Sequence, residues 1–394
     1  MTTAHAARLL DCLVEQLTAE GDLTADWRET FLAVPRHLFI PDTVWHQDPA
    51  IDGPNDLVPV HRRESPERWL EIVYANRSVT IQVDDGHPLG PEGRGRNISS
   101  SASHPGVVAQ MLAASGAQPG ERVLEIGTGT GYNTALLAHR LGAHHVVSVE
   151  IDGALAGHAQ QALARAGYGA VTVLTGDGAL GHRERAPYDR VLCTASVQQV
   201  PSAWVSQTRP GGRILTPWAT AYFDGGLLAL QPLGDGSATG RIVGKAWFMW
   251  LREQRVPRVS VGWFVRDDQH AEVSATEVHP FEVAGDYDAQ LAVSLRVPDC
   301  RRLYWRPDHD DDHGTLWLID PGSGAWASLR HHPTSNGPYE VRQHGPRRLW
   351  DEVEAAYRWW QNAGAPKATD WRFTITPDNQ KVELNTVSAR RSCQ

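Results

Sequence analysis

Residues 121–152 read ERVLEIGTGTGYNTALLAHRLGAHHVVSVEID, and their succession of apolar run, glycine turn, helical run and second apolar run decides the fold. Val123, Leu124 and Ile126 suit a buried parallel strand, because such strands are covered on both faces and read as near-continuous apolar runs. Gly127, Gly129 and Gly131 follow, residues that let the backbone turn sharply and approach a ligand closely. The spacing of Ala135, Leu136, Leu137, Ala138 and Leu141 then predicts a helix that Gly142 stops. A second strand over 146–149 ends at Glu150, about 20 residues beyond the glycines, where open α/β sheets hold an acidic side chain against a ribose. A nucleotide-like cofactor is therefore expected at the carboxyl ends of these strands.

Two ligands compete for such a unit. A dinucleotide fingerprint is G-x-G-x-x-G, whose third glycine lets helix and strand pack closely and whose helix N-terminus takes the pyrophosphate. Here Tyr132 stands at that third position. From Glu125 to Gly131 the pattern is instead E-x-G-x-G-x-G, which resembles motif I of the class I methyltransferases. In those enzymes the acidic residue before the glycines helps position the amino acid part of S-adenosylmethionine, and no phosphate needs cradling. The resemblance implies a cofactor site built from Glu125, Gly127, Thr128, Gly129, Gly131, Tyr132, Asn133, Glu150 and Ile151, with Asp177 and Gly178 added from further along the chain.

Composition narrows the alternatives. At 394 residues the chain is long for one domain and comfortable for two. A formal net charge of −9 argues against a broad basic surface, so nucleic acid is not an expected partner. Cys12, Cys193, Cys300 and Cys393 are scattered without C-x-x-C spacing, which suggests neither a zinc site nor a disulfide framework and fits a reducing cytoplasm. The opening MTTAHAARLL has no basic region followed by an apolar core, and no 18-residue apolar run occurs. A soluble cytoplasmic protein with no membrane partner and no metal is the expectation, its oligomeric state left open.

In chain order, Leu9, Leu10, Leu13, Val14 and Leu17 mark an amphipathic helix over residues 3–20. The segment FLAVPRHLFIP, residues 31–41, is bracketed by Pro35 and Pro41 and reads as a packed loop. Residues 46–97 read as loop-dominated surface except for SVTIQV at 78–83, which alternates like a strand. The stretch NISSSASHPGVVAQML, residues 97–112, sets a serine cluster before a helix opened by Pro105. Ser103 is the best-placed N-cap of that helix. Capping leaves Ser99, Ser100 and Ser101 to be explained by a flexible polar linker or by chemistry. After Asp152 come a helix over 154–166, a strand ending at Gly176-Asp177-Gly178, the strand YDRVLCTA at 188–195, a helix, a Pro-Gly-Gly turn at 210–212 and a further strand. Asp177 sits either in a tight turn or at a ligand site at a strand's carboxyl end. This alternation predicts an α/β fold, a Rossmann-like, mostly parallel, doubly wound sheet of the class I methyltransferase kind.

The motifs VPRHLFIP, SASHPGVVAQML, VLEIGTGTGYNTALLA, SVEID, GDG with APYDRVLCTA, VPSAW and RPGGRILTPW follow one another in residues 1–255. In this order they resemble the protein-L-isoaspartate O-methyltransferases. In that family a serine two residues before the helix-opening proline helps hold the substrate carboxylate; the matching residue is Ser103, with Ser101 as its possible helper. The family usually has Thr-Ile-Ser where this chain has the serine-rich SSSAS. In this it resembles more closely a branch found with ribosomally made, modified peptides such as lanthipeptides, lasso peptides and graspetides, where an Asp carboxylate in a cyclised precursor peptide is methylated and the ester closes to an aspartimide. General isoaspartyl repair and a non-catalytic peptide-binding role in a biosynthetic complex are the alternatives.

Beyond Gly240 the composition shifts, and ten of the 15 tryptophans lie there. RVSVGWFV, AVSLRV and GTLWLID read as strands, PRRLWDEVEAAYRWW as a helix, and residues 370–384 as a hairpin turning at 377–379. This gives residues 1–96 as a lead-in, 97–250 as the S-adenosylmethionine-binding core and 251–394 as an extra α+β domain, absent from an ordinary repair enzyme, that recognises the peptide. Its tryptophans would mostly fill its core, with some serving as anchors for substrate. DHDDDHG at 308–314 lacks EF-hand spacing and reads as an exposed acidic loop; the pairs His144-His145 and His331-His332 are read as non-ligands.

Overall fold

The computed structural model describes residues 3–47, 57–266, 269–305, 314–332 and 337–385. Its chain divides into two compact units, one of Met1–Pro217, Leu227–Glu253 and Thr374–Gln380, the other of Trp218–Gly226, Gln254–Phe373 and Lys381–Gln394.

The first unit opens with α1 (Thr3–Ala19) and α2 (Ala25–Ala33). Leu10, Leu13, Val14 and Leu17 of α1 are buried, as their helical spacing predicts. Next come β1 (Thr43–Gln47), β2 (Leu57–His61), α3 (Pro66–Tyr74), β3 (Val79–Val83) and β4 (Ile98–Ala102), whose strands form a sheet in the order β2-β1-β3-β4. The loop-dominated reading of 46–97 is thus corrected. Pro59 masked β2, and it is tolerated because β2 is an edge strand whose outer side needs no ladder donor. Pro66 opens α3, which buries Trp69, Leu70, Ile72, Val73 and Tyr74. The serine cluster is not a linker either: β4 pairs antiparallel with β3, setting Val79 opposite Ala102 and Thr80 opposite Ser101.

The core follows as α4 (Pro105–Ser115), β5 (Val123–Ile126), α5 (Tyr132–Leu141), β6 (Val146–Glu150), α6 (Gly153–Arg165), β7 (Thr172–Thr175), β8 (Tyr188–Cys193), α7 (Ser202–Gln207), β9 (Thr208–Trp218), β10 (Gly226–Pro232) and β11 (Ala238–Lys245). Strands β7, β6, β5, β8 and β9 are neighbours in that order and every pairing among them is parallel. Pro210-Gly211-Gly212 is not a turn between elements but a bulge inside β9, because Tyr188 and Arg190 face Thr208 and Arg213.

The second unit holds α8 (Val261–Phe264), β12 (Glu272–Thr276), α9 (Pro280–Gly285), α10 (Tyr287–Arg296), β13 (Arg301–Trp305), β14 (Gly314–Asp320), β15 (Ala325–His331), β16 (Tyr339–His344) and α11 (Leu349–Asn362). Its sheet runs β12-β16-β15-β14-β13 with every pairing antiparallel. AVSLRV, expected as a strand, is the end of α10. Asp286 caps that helix by accepting the Ala289 N–H, and Leu291, Ala292 and Val293 are all buried, so periodicity could not separate a buried helix from a strand. Within RVSVGWFV the single helical turn α8 replaces the expected strand. Finally β17 (Trp371–Ile375) and β18 (Gln380–Leu384) extend the core sheet to nine strands, β18-β17-β11-β10-β9-β8-β5-β6-β7.

Candidate active site

Three glycines make the turn from β5 into α5, with φ of 90° at Gly127, 55° at Gly129 and 81° at Gly131. L side chains seldom adopt that region, and a Cβ at Gly127 would also meet the Thr194 hydroxyl at 2.7 Å. Beneath the turn lies Glu125, wholly buried, accepting hydrogen bonds from Asn133 Nδ2 at 2.6 Å, Ser148 Oγ at 2.6 Å and Thr134 Oγ1 at 2.5 Å. Burial pushes its pKa up, and the three donors oppose that shift. Glu125 thereby ties β5, the start of α5 and β6 to one another. Thr128 is fixed the same way, its hydroxyl 2.6 Å from Ser148 Oγ.

At the carboxyl end of β6, Glu150 is 7% exposed and accepts the amides of Gly129 at 2.8 Å and Asp152 at 3.1 Å. Burial raises its pKa, against the pull of those amides. A carboxylate has about four acceptor sites, so two remain for a diol. Ile151, next in the chain, is 37% exposed. Several of the loop amides are meanwhile spoken for: Gly129 by Glu150, Gly131 by the Thr128 carbonyl at 2.8 Å, and Tyr132 by Thr130 Oγ1 at 3.3 Å. Little is left to cradle a pyrophosphate, whereas an acidic diol acceptor beside a tight glycine turn fits a nucleoside carrying no phosphate. Tyr132 offers only main chain, its ring being buried against Phe31 and Phe39. Beyond β7, Asp177 accepts the Ala179 N–H at 2.8 Å. Gly178 is packed so closely on Ile126 that an added Cβ would come within 2.4 Å.

The serine strand β4 runs up to this turn: a Cβ at Gly129 would lie 3.9 Å from the Ser101 carbonyl oxygen. Contrary to expectation, the N-cap of α4 is His104, whose Nδ1 accepts the Gly106 N–H at 3.2 Å. Ser103 is half-buried and its hydroxyl makes no hydrogen bond among the described residues. Its carbonyl does, accepting from Arg36 Nη2 at 2.9 Å. Arg36 is fully buried and also donates to the carbonyls of Val73 at 2.9 Å and Ala102 at 3.3 Å, with no carboxylate partner among the described residues. Burial brings its pKa down to about 10, so it stays a cation at neutral pH. A second tie runs from Ser99 Oγ to Gln82 at 2.9 Å, from Gln82 to Asp152 at 3.0 Å, and from Asp152 to Arg252 at 3.7 Å.

Sequence reasoning missed Arg36, Gln82, Ser148 and Thr194. Only Arg36 carried a signal, a lone cation inside an apolar segment bracketed by prolines. The acidic run at 308–313 and Cys393 lie outside the described residues. Among those described, no group of three or more His, Cys, Asp or Glu could hold a metal ion, and no helix is long and apolar enough to cross a membrane.

Residues 57–253 match the family described as Protein-L-isoaspartate(D-aspartate) O-methyltransferase (PCMT). The chain belongs to that family. A protein-L-isoaspartate O-methyltransferase of Hyperthermus butylicus is 31% identical over 249 residues, 61% of this chain and 86% of its own. One from Anaeromyxobacter dehalogenans is 46% identical over 172 residues, 43% of this chain and 74% of its own. A solved protein-L-isoaspartate O-methyltransferase superposes with a TM-score of 0.52 at 20% identity, over 95% of this chain and 99% of that one, a likeness of fold alone. As a PCMT-family member with the class I fold, the chain is an S-adenosylmethionine-dependent carboxyl methyltransferase.

Proposed function

We propose that the chain esterifies the side-chain carboxylate of an Asp or isoAsp residue in a ribosomally made, modified peptide, and that the ester then closes to an aspartimide. The observation that carries this reading is the serine strand: Ser101 is set against the glycine turn, and the Ser103 hydroxyl is uncommitted because His104 does the capping. SSSAS in place of the family's usual Thr-Ile-Ser favours a substrate other than the general one. Residues 251–394 are assigned to recognising the peptide, and residues 97–250 to the cofactor. A cytoplasmic setting belongs to the same reading, supported by Cys12, Cys193 and Cys300 being free thiols.

When bound, S-adenosylmethionine supplies an electrophilic methyl group. A carboxylate of reference pKa about 3.9 is ionised at neutral pH, so no general base is required. The protein's part is positioning, by which a held nucleophile gains several kcal/mol over a free one. Ser103 donates to one substrate carboxylate oxygen, helped by Ser101, while Arg36 fixes the backbone that carries both. Glu150 accepts from the ribose, and Glu125 keeps the glycine turn in shape. In the ester, the next backbone nitrogen attacks the side-chain carbonyl carbon and loses its proton as methanol leaves, giving the five-membered imide.

General isoaspartyl repair is the second reading, favoured by the description shared by the relatives. Mass spectrometry of products from two substrates separates them: a linear isoaspartyl peptide and a cyclised peptide holding an ordinary Asp. Methyl ester or imide on the cyclised Asp peptide is the expected result. Turnover of the isoaspartyl peptide alone would make repair the function.

A further inference from the structure

The β12–β16 sheet buries one face and leaves half of the other open. Leu316, Leu318, Ala327, Leu329 and Val341 are fully buried, and Gln343 on the same face bonds to Asp351 of α11 at 2.8 Å. On the opposite face the segment around α8 packs on Ile319 and Trp326, with Gln269 accepting the Trp326 indole N–H at 3.0 Å. That cover stops part-way. Beyond it Trp305 is 56% and Val273 64% exposed. Trp305 lies 6.1 Å from Trp317 between ring centroids, and Trp317 lies 5.9 Å from Trp326, so an aromatic row leads out from under the cover into the open.

Two cations stand in the same open half. The register sets Arg330 opposite Thr315 and Arg342 opposite both Ser328 and Val273, which puts them on the face of Trp317. Both are exposed, and neither makes an ion pair among the described residues. Glu340 is the one carboxylate that alternation places with them on β16. In a chain of net charge −9, two arginines with no ion pair among the described residues, beside the exposed Trp305, are a local reversal of sign. Aromatic and arginine side chains are the ones that anchor partners most often, and charges of opposite sign steer an encounter.

We propose that this open half-face, Trp305, Trp317, Arg330, Arg342 and Val273, docks an acidic segment of the peptide substrate, an inference resting on the carboxyl methyltransferase reading above. The arginines take carboxylates of that segment, and the tryptophans take apolar side chains between them. Specificity for acidic surroundings then arises on this sheet and not at the methyl-transfer site.

The test uses the full chain and two fluorescein-labelled isoaspartyl peptides of equal length, one flanked by Asp and Phe, the other by Lys and Phe. Anisotropy reads binding without turnover, and initial rates give kcat and KM. The unaltered protein should bind the acidic peptide more tightly. Arg330→Glu with Arg342→Glu should remove about tenfold of that preference, in KM and not in kcat. Trp305→Ala should weaken both peptides. All three residues are at the surface, and melting temperature verifies the fold. A preference that survives the double reversal overturns the proposal, as does a concentration-dependent dimer that Trp305→Ala abolishes, since the face would then be covered by a second copy. Binding that follows the arginines without turnover of either peptide would support the surface and count against isoaspartyl repair, the second reading above.

Discussion

Both units are built on sheets, but they use them differently. In the first, parallel strands covered on both sides end at a tight glycine turn, and the polar groups there are nearly or fully buried, with Glu125, Ser148 and Thr128 bonded in a chain and Glu150 holding the Gly129 amide. In the second, antiparallel strands bury one face, and the other presents tryptophan and arginine to water. Strand ends hold groups to a fixed geometry, because each is anchored by neighbours on two elements. A sheet face offers area and charge and tolerates change. Chemistry on a reacting methyl calls for the first kind of surface, and selection among peptides for the second.

If that division is right, a substitution at the strand ends should alter rate or cofactor affinity without touching peptide preference. Ser103→Ala is the sharpest case. Losing a donor aimed at the reacting oxygen should lower the single-turnover methylation rate about 100-fold, by analogy with removing one preorganised hydrogen-bond donor from an active site. S-adenosylmethionine affinity and melting temperature should stay as they are, since the hydroxyl caps nothing. A rate within twofold of the unaltered enzyme would remove Ser103 from the site.

Glu150→Ala should act on the cofactor instead. Hydrogen bonds to a charged acceptor contribute about 1.5–3 kcal/mol, so S-adenosylmethionine should bind roughly 10–100-fold more weakly by calorimetry. Part of that loss is indirect, because Gly129 also loses the acceptor of its N–H. Glu150→Gln, which keeps an acceptor, should recover some of it. Burial raises the Glu150 pKa. As pH falls through the raised value the carboxylate takes a proton, and affinity should decline at mildly acidic pH sooner than an ordinary glutamate would allow. Affinity unchanged by either substitution would move the ribose elsewhere.

The same contrast explains what could be read from the chain alone. Gly127, Gly129 and Gly131 were legible because their backbone excludes other residues, and Glu150 because it sits a set distance on, at the end of a strand. Those constraints are local. The role of Arg36 was not legible: its bonds go to carbonyls at 73, 102 and 103, which leave no trace in residue type. Nor was α10, where a buried apolar run looks alike as strand or helix, nor β2, whose proline is harmless only at a sheet edge. The open face of the second unit depends on which residues α8 covers, and that is set by packing at long range.

The smallest effect comes from the residue beside Ser103, and it separates structural from chemical work within one dipeptide. His104 accepts the Gly106 N–H at the start of α4, so its ring must be neutral on that nitrogen. His104→Ala should cost about 0.5–1 kcal/mol of stability, within the range for losing an N-cap acceptor, and leave the methylation rate nearly unchanged. Burial lowers the His104 pKa, outweighing the neighbouring carboxylates of Asp22 and Glu20. For a base whose folded pKa lies below its unfolded one, the contribution to stability is present above the unfolded value and is lost as pH falls through the folded one. The unaltered protein should therefore lose part of its stability on mild acidification, and His104→Ala should lack that part. Urea titrations of the two proteins at neutral and mildly acidic pH measure the difference. Equal pH dependence would mean that His104 does not hold the Gly106 N–H, and the acceptor would be Asn76 Oδ1, which lies 3.1 Å from the same nitrogen.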